Sequence, residues 1–149
     1  MMSEGVIDQL RLGDPDEVTI KSALARGVQE VLPRESEGGP SLEAQMSERR
    51  IKLYLGIDPT SPDLHIGHTV PLRKLRHFQA LGHEVVLLFG TFTGMIGDPT
   101  DKSAGRVRLT PEQIDLNVAT YVEQAGKVLD LSAEAQNPVT IAYNHEWLG

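Results

Sequence analysis

The chain predicts an α/β domain on a parallel sheet, the first half of a doubly wound fold with helices on both faces, preceded by N-terminal helices. Three observations point there. Ile51, Leu53, Leu55 and Ile57 alternate with Lys52, Tyr54 and Gly56, the period of a strand with one face inside. Glu84-Val85-Val86-Leu87-Leu88-Phe89 is a nearly unbroken apolar run, which suits a parallel strand covered on both faces. A helical pattern follows each of these runs, and a third strand pattern, Val139 to Tyr143, comes after the second helix. Strand, helix, strand, helix, strand with right-handed crossovers is half of a doubly wound sheet.

Ahead of the sheet, Val6, Ile7, Leu10 and Leu12 make a short amphipathic segment. Asp16 caps a second one carrying Val18, Ile20, Leu24, Ala25, Val28 and Leu32. Both read as helices on the outside of the domain. The polar stretch from Pro33 to Pro40 carries two glycines and two prolines and reads as a connector. The chain therefore divides into a helical region and connector over 1–40 and an α/β region over 41–149. A short helix from about Ser41 to Arg49 precedes the first strand. The helix after that strand runs from about 66 to 80 and stops near Gly82. Pro111-Glu112 opens a long helix to about Leu129, with Ile114, Val118, Tyr121, Val122, Ala125 and Leu129 on one side.

Composition narrows the function. Fourteen Lys and Arg against 21 Asp and Glu give a net charge of −7, which opposes a domain that grips nucleic acid over its whole surface. A local basic patch stays open. No cysteine is present, so disulfides and thiolate zinc sites are excluded. No apolar run approaches bilayer length, and Met1-Met2-Ser3-Glu4 lacks the basic and apolar segments of a signal peptide. A cytoplasmic location without a membrane partner is the default expectation.

The chemistry concentrates where strands end, since ligands of such sheets bind beyond the strands' carboxyl ends. Gly56 removes a side chain at the end of the first strand, so a ligand can approach the backbone. Asp58-Pro59-Thr60-Ser61-Pro62-Asp63 supplies turn chemistry: the prolines fix φ, and the carboxylates and hydroxyls bond nearby amides. The next helix opens with His65-Ile66-Gly67-His68. Its first amides and its dipole attract anions. His65 and His68, three residues apart, lie near one face and can donate to phosphate oxygens, and Gly67 lets a flat ring lie on the helix. His65 is equally suited to capping the helix, and Asp58 to capping its own turn.

After the second strand, Phe89-Gly90-Thr91-Phe92-Thr93-Gly94-Met95-Ile96-Gly97-Asp98-Pro99 reads as a pliable loop of close approach. Asp98 needs a cationic partner if buried and is otherwise a turn carboxylate before Pro99. Lys102, Arg106 and Arg108 occupy a polar loop, where they are either solvated or able to close over a leaving anion. Arg73, Lys74, Arg76 and His77 form a basic run that reads first as a solvated helix face. His83 and His145 are isolated, with no second ligand at metal spacing. No metal site is expected.

His65-Ile66-Gly67-His68, with Leu53-Tyr54-Leu55-Gly56-Ile57-Asp58-Pro59-Thr60 before it and Gly94-Met95-Ile96-Gly97-Asp98-Pro99 after it, resembles the class I aminoacyl-tRNA synthetases, in particular the N-terminal catalytic half of the bacterial tyrosyl enzymes. The resemblance runs from about residue 40 to the end. Two longer motifs in the right order, each at the end of an apolar strand, make it much stronger than four residues alone. It implies a Rossmann-like sheet of the HUP type and ATP-dependent activation of tyrosine, followed by transfer to tRNA(Tyr). ATP enters as a substrate with magnesium held mainly by phosphate oxygens and water, and no cofactor is tightly bound.

The same resemblance implies roles residue by residue. Thr60 and His65 hydrogen-bond the far phosphates of ATP, His68 and Gly67 support the adenosine, Gly56 lines the nucleotide, and Asp58 orients the nucleotide or the amino group. Lys102 and Arg106 add charge stabilisation as pyrophosphate leaves. Tyr54 shares a hydrogen bond with the substrate phenol or simply packs in its strand. Asp98 binds the α-ammonium of tyrosine, with Thr93 and Asn144 in or behind the same pocket. Trp147 is expected in the core.

The lysine- and serine-rich second signature of class I synthetases, KMSKS, is missing, since Lys21-Ser22 and Lys102-Ser103 lie in the wrong context. The chain thus reads as a fragment lacking the second half of the nucleotide fold and the anticodon-binding region, weakly active or inactive by itself. The family is dimeric through a region mostly beyond residue 149. Competing readings are a tryptophan-specific synthetase fragment, a non-catalytic nucleotide- or RNA-binding module on a synthetase scaffold, and a nucleotidyltransferase of the broader superfamily.

Overall fold

The computed structural model describes residues 18–32, 39–96 and 109–148. Three parallel strands, β1 (Lys52–Ile57), β2 (Glu84–Phe89) and β3 (Thr140–Tyr143), lie in the order β1-β2-β3. Helix α1 (Ile20–Ala25) and helix α2 (Leu42–Glu48) come first. Helix α3 (Ile66–Ala80) crosses from β1 to β2. A short helix α4 (Thr93–Ile96) and a long one α5 (Pro111–Ala125) lie between β2 and β3, and α6 (His145–Leu148) follows β3.

In the register, Tyr54 pairs with Val86 and Val86 with Thr140, while Leu55 pairs with Leu87 and Leu87 with Ile141. One face of the sheet therefore carries Leu53, Leu55, Ile57, Val85, Leu87, Phe89, Ile141 and Tyr143. The core forms there, with Leu72, Leu75 and Phe78 of α3 and Ile114, Val118, Tyr121 and Ala125 of α5 against Ile57, Val85, Leu87 and Phe89. The other face carries Lys52, Tyr54, Gly56, Val86, Leu88, Thr140 and Ala142. Its Val86 and Leu88 are half-buried and stand outside the core cluster, and Tyr54 is 71% exposed.

The parallel α/β class is as the sequence predicts. Helices surround the sheet, and α2, α3 and α5 all contribute side chains to the core cluster.

Helix ends follow local chemistry. Ser41 caps α2 through Ala44 N–H at 3.1 Å, and Thr110 caps α5 with Pro111 in the first turn. Gly82, at φ +82°, ends α3: its N–H donates to Gln79 and that of His83 to Phe78, both at 3.0 Å. The sequence extends one helix from Asp16 towards Leu32, but the structure has helix only over Ile20–Ala25, capped by Thr19. Gly27, at φ +66°, stops it, and Lys74 Nζ of α3 donates to the Ala23 and Arg26 carbonyls at its end. The Arg26-Gly27 pair was the stop signal. Asp16 and the Val6–Leu12 segment lie outside the described residues. Helix α5 ends at Ala125 rather than near Leu129, where a tighter turn carries Leu129 into the core.

At the amino end of the sheet, buried Gln79 anchors the segment between α5 and β3. Its Nε2 donates to the carbonyls of Asp130 and Asn137 at 2.7 and 2.9 Å, and its Oε1 accepts from Asp130 N–H and Arg76. Asn137 returns bonds to the carbonyls of Gln79 and His83.

Candidate active site

The carboxyl ends of all three strands are linked by side chains. Gly90 N–H donates to the Ile57 carbonyl at 2.9 Å and Asn144 N–H to the Phe89 carbonyl at 3.0 Å, so the residues just past each strand lie side by side. Thr93 Oγ1 donates to Asp58 Oδ1 at 2.6 Å and accepts from Asn144 Nδ2 at 2.9 Å. Asn144 Oδ1 accepts from Phe92 N–H at 2.8 Å. An uninterrupted polar chain, Asp58–Thr93–Asn144, thus crosses the sheet end. Its first bond has the short length of a hydroxyl on a carboxylate. Asp58 does not cap its own turn; among the described residues its side chain is spent on Thr93.

The glycine-rich segment between them is ordered by packing. A methyl group on Gly90 would fall 1.7 Å from Asp58 Oδ1 and 2.4 Å from Thr93 Oγ1, and one on Gly94 would meet Ile114 at 3.1 Å and Pro59 at 3.4 Å. These glycines are spacers between close elements, and Thr93–Ile96 is a helical turn where the sequence reads as pliable loop. Gly56 differs. A methyl there would meet only Leu88 Cδ2, at 4.0 Å, so packing among the described residues does not require glycine.

The start of α3 follows the turn that leaves Asp58. His65 precedes the helix in extended geometry, and its Nδ1 accepts from Gly67 N–H at 3.1 Å. His68 Nδ1 accepts from His65 N–H at 3.2 Å. The two rings are 4.0 Å apart, and the ring lying over Gly67 is that of His65 itself, within 2.9 Å of where a methyl would stand. With both Nδ1 atoms accepting, each imidazole carries its proton on Nε2 and offers a donor. Capping and anion binding are therefore compatible in His65. Desolvation, then the neighbouring His65, lowers the pKa of His68 and keeps it neutral. Thr60, half-buried, donates its N–H to the Asp58 carbonyl at 2.8 Å.

Tyr54 sits in mid-strand on the open face, four residues before Asp58, or roughly 13 Å along the strand. Asn144 is buried, whereas Trp147 on α6 is 57% exposed and outside the core that the sequence assigns it. Asp98, Lys102, Arg106 and Arg108, with Gly97, lie outside the described residues. The basic run of α3 is partly engaged: Lys74 caps α1, and Arg76 donates to Gln79 Oε1 at 2.9 Å. His145 Nδ1 is 2.7 Å from Thr91 Oγ1, and its ring stacks on Tyr143. Among the described residues no three His, Asp or Glu side chains are grouped to hold a metal ion, and no helix is long and apolar enough to cross a membrane.

The model of the class I tRNA synthetases (W and Y) matches residues 46–149. The chain belongs to this family. Curated relatives within reach include the tyrosine–tRNA ligase of Synechococcus, 47% identical over 132 residues, covering 87% of this chain and 30% of the relative. That of Moorella thermoacetica is 46% identical over 126 residues, covering 85% and 29%. The chain thus spans about 30% of the length of these synthetases. A truncated mitochondrial tyrosyl-tRNA synthetase of Coccidioides posadasii superposes with a TM-score of 0.62 at 23% identity over 96% of this chain and 41% of its own, a likeness of fold. The matched residues include the junction just described, β1 ending in the Asp58 turn and α3 beginning at His65.

Sequence reasoning missed three residues that shape this junction. Asn117, Tyr121 and Gln124 of α5 all bond the turn between Asp58 and His65. A polar stripe at helical spacing was the available signal, hidden because Tyr121 also counts as core.

Proposed function

We propose that this chain is the ATP- and tyrosine-handling part of a tyrosine–tRNA ligase, working in the cytoplasm on tyrosine, ATP and tRNA(Tyr), in an enzyme that is a homodimer. The observation that carries the reading is the His65–His68 pair at the start of α3, joined by the 59–64 turn to Asp58 and so to the Asp58–Thr93–Asn144 chain across the sheet end, in a member of the W and Y family. The names of its curated relatives favour tyrosine over tryptophan.

Activation forms a bond between a tyrosine carboxylate oxygen and the α-phosphorus of ATP, and the bond from that phosphorus to the bridging oxygen breaks as pyrophosphate leaves. Such a displacement needs positioning and charge stabilisation rather than a nucleophilic side chain. The Nε2–H donor of His65, with Thr60, serves the far phosphates, and that of His68 serves the adenosine or a phosphate oxygen. Gly67, Gly56 and Asp58 border the nucleoside. Tyr54, Thr93, Asn144 and Asp98 serve the amino acid, with Asp98 taking the α-ammonium and Tyr54 the phenol. Lys102 and Arg106 stabilise departing pyrophosphate. Magnesium arrives with ATP on its phosphate oxygens. A tRNA ribose hydroxyl then takes the tyrosyl group from the adenylate and AMP leaves.

A chimera tests this directly. This chain replaces the matched segment of the Moorella thermoacetica relative, and exchange of labelled pyrophosphate into ATP is measured. The reading predicts exchange that depends on tyrosine, is not supported by phenylalanine or tryptophan, and is lost in His65→Ala. A folded chimera that binds ATP but gives no tyrosine-dependent exchange would instead favour a non-catalytic nucleotide-binding module.

A further inference from the structure

The turn between β1 and α3 has little means of holding itself. Pro59 and Pro62 have no N–H, and within the turn Thr60 N–H to the Asp58 carbonyl is the backbone bond formed. Its shape is supplied by α5. Asn117 Nδ2 donates to the Pro59 carbonyl at 2.9 Å. The Tyr121 hydroxyl lies 3.0 Å from Ser61 Oγ and is the donor, because Ser61 gives its own proton to the Asp63 carbonyl. Gln124 Oε1 accepts from Leu64 N–H at 2.8 Å while its Nε2 donates to Asp63 Oδ1 at 2.7 Å.

Positions 117, 121 and 124 are four and three residues apart, so they form one stripe on the helix. They meet residues 59, 61 and 63–64 in matching order, and residue 65 is the first histidine. Tyr121 ties the stripe to the core: it is 1% exposed, with its ring 6.4 Å from Phe89 and 6.2 Å from His68.

We propose that Asn117, Tyr121 and Gln124 are positioning residues for the phosphate end of the site, fixing the 59–64 turn so that His65 and His68 present their Nε2 donors together. This rests on the reading that the two histidines bind ATP. Because preorganised donors bind an anion without having to be ordered first, the stripe contributes to affinity without touching the ligand.

The test exchanges the partners of one bond. Gln124→Glu keeps an acceptor for Leu64 N–H but sets a carboxylate against Asp63; adding Asp63→Asn restores the bond with donor and acceptor reversed. Tyr121→Phe, which keeps the ring in the core and removes only the hydroxyl, is the milder second variant. Amide hydrogen exchange at Leu64, Gly67 and His68, the ATP dissociation constant and the melting temperature are measured on the 149-residue chain.

Gln124→Glu is expected to speed exchange at these amides and weaken ATP binding by about tenfold each, as loss of one charge-assisted bond implies. Tyr121→Phe does so to a lesser degree, and Asp63→Asn/Gln124→Glu recovers both properties. A purely structural role would instead lower the melting temperature of each variant and leave ATP affinity in step with it. Unchanged exchange in Gln124→Glu, or no recovery in the double variant, overturns the proposal. If exchange responds and recovers while the unaltered chain binds no ATP, the turn is positioned as stated and the ATP reading is what fails.

Discussion

Thr93 Oγ1 donates to Asp58 Oδ1 at 2.6 Å directly over the Cα of Gly90, in a space that a single methyl group would occupy. The bond joins the end of β1 to the turn after β2 and passes on to Asn144 at the end of β3. A glycine at position 90 is therefore a condition for the site's polar chain.

Gly90→Ala should break that chain. Overpacking of this kind costs about 1–3 kcal/mol, so urea denaturation should show a lower midpoint, and the Asp58 carboxyl carbon should shift in NMR spectra. An unchanged midpoint would mean that Asp58 and Thr93 separate at no cost.

Gly56→Ala should do the opposite. With only Leu88 Cδ2 at 4.0 Å, the methyl group has room, and replacing glycine in a strand stabilises by roughly 0.4–1 kcal/mol where the backbone allows it. Stability should hold or rise while ATP binding, measured calorimetrically, weakens. Parallel losses of stability and binding would show that Gly56 serves packing instead.

Asn144→Ala leaves Phe92 N–H and Thr93 Oγ1 without their partner at a buried position. Such an orphaned group costs about 1–3 kcal/mol. The loss should appear in the denaturation midpoint and in faster exchange of the Phe92 amide, with other core amides following only the global change.

Stability should fall on mild acidification. Desolvation is the leading cause that lowers the pKa values of His68, His77 and His83 below the ordinary 6.5, assisted by neighbouring His65, Lys74 and Arg50 respectively. The unfolded chain therefore binds more protons in the window between those lowered values and 6.5, and folding stability rises with pH there. The contribution is full above the unfolded value and is lost as pH falls through the folded ones. A urea midpoint that declines between about pH 7 and pH 5, less steeply in His83→Asn, agrees with this; a flat profile does not.

The sheet was legible in the sequence because alternation in Ile51–Ile57 and the apolar run in Glu84–Phe89 are direct consequences of burial. The His65–His68 junction was legible because strand end, proline turn and helix start are local features. The Arg26-Gly27 stop was local too, yet apolar spacing from Val18 to Leu32 masked it. What stayed hidden depends on residues far apart in the chain. Nothing near Asp58 announces Thr93, nothing near Leu64 announces Gln124, and Trp147 looked like core because large aromatics usually are.

The central claim is that the paired imidazoles at the start of α3 form the nucleotide-binding end of the site. The chain has five histidines, so the imidazole Cε1–H resonances report on all of them at once. Titration with magnesium ATP should shift His65 and His68 saturably and together, leaving the distant, buried His83 and the α3 residue His77 unmoved. If ATP at saturating concentration leaves His65 and His68 where they were, the account of this site is contradicted.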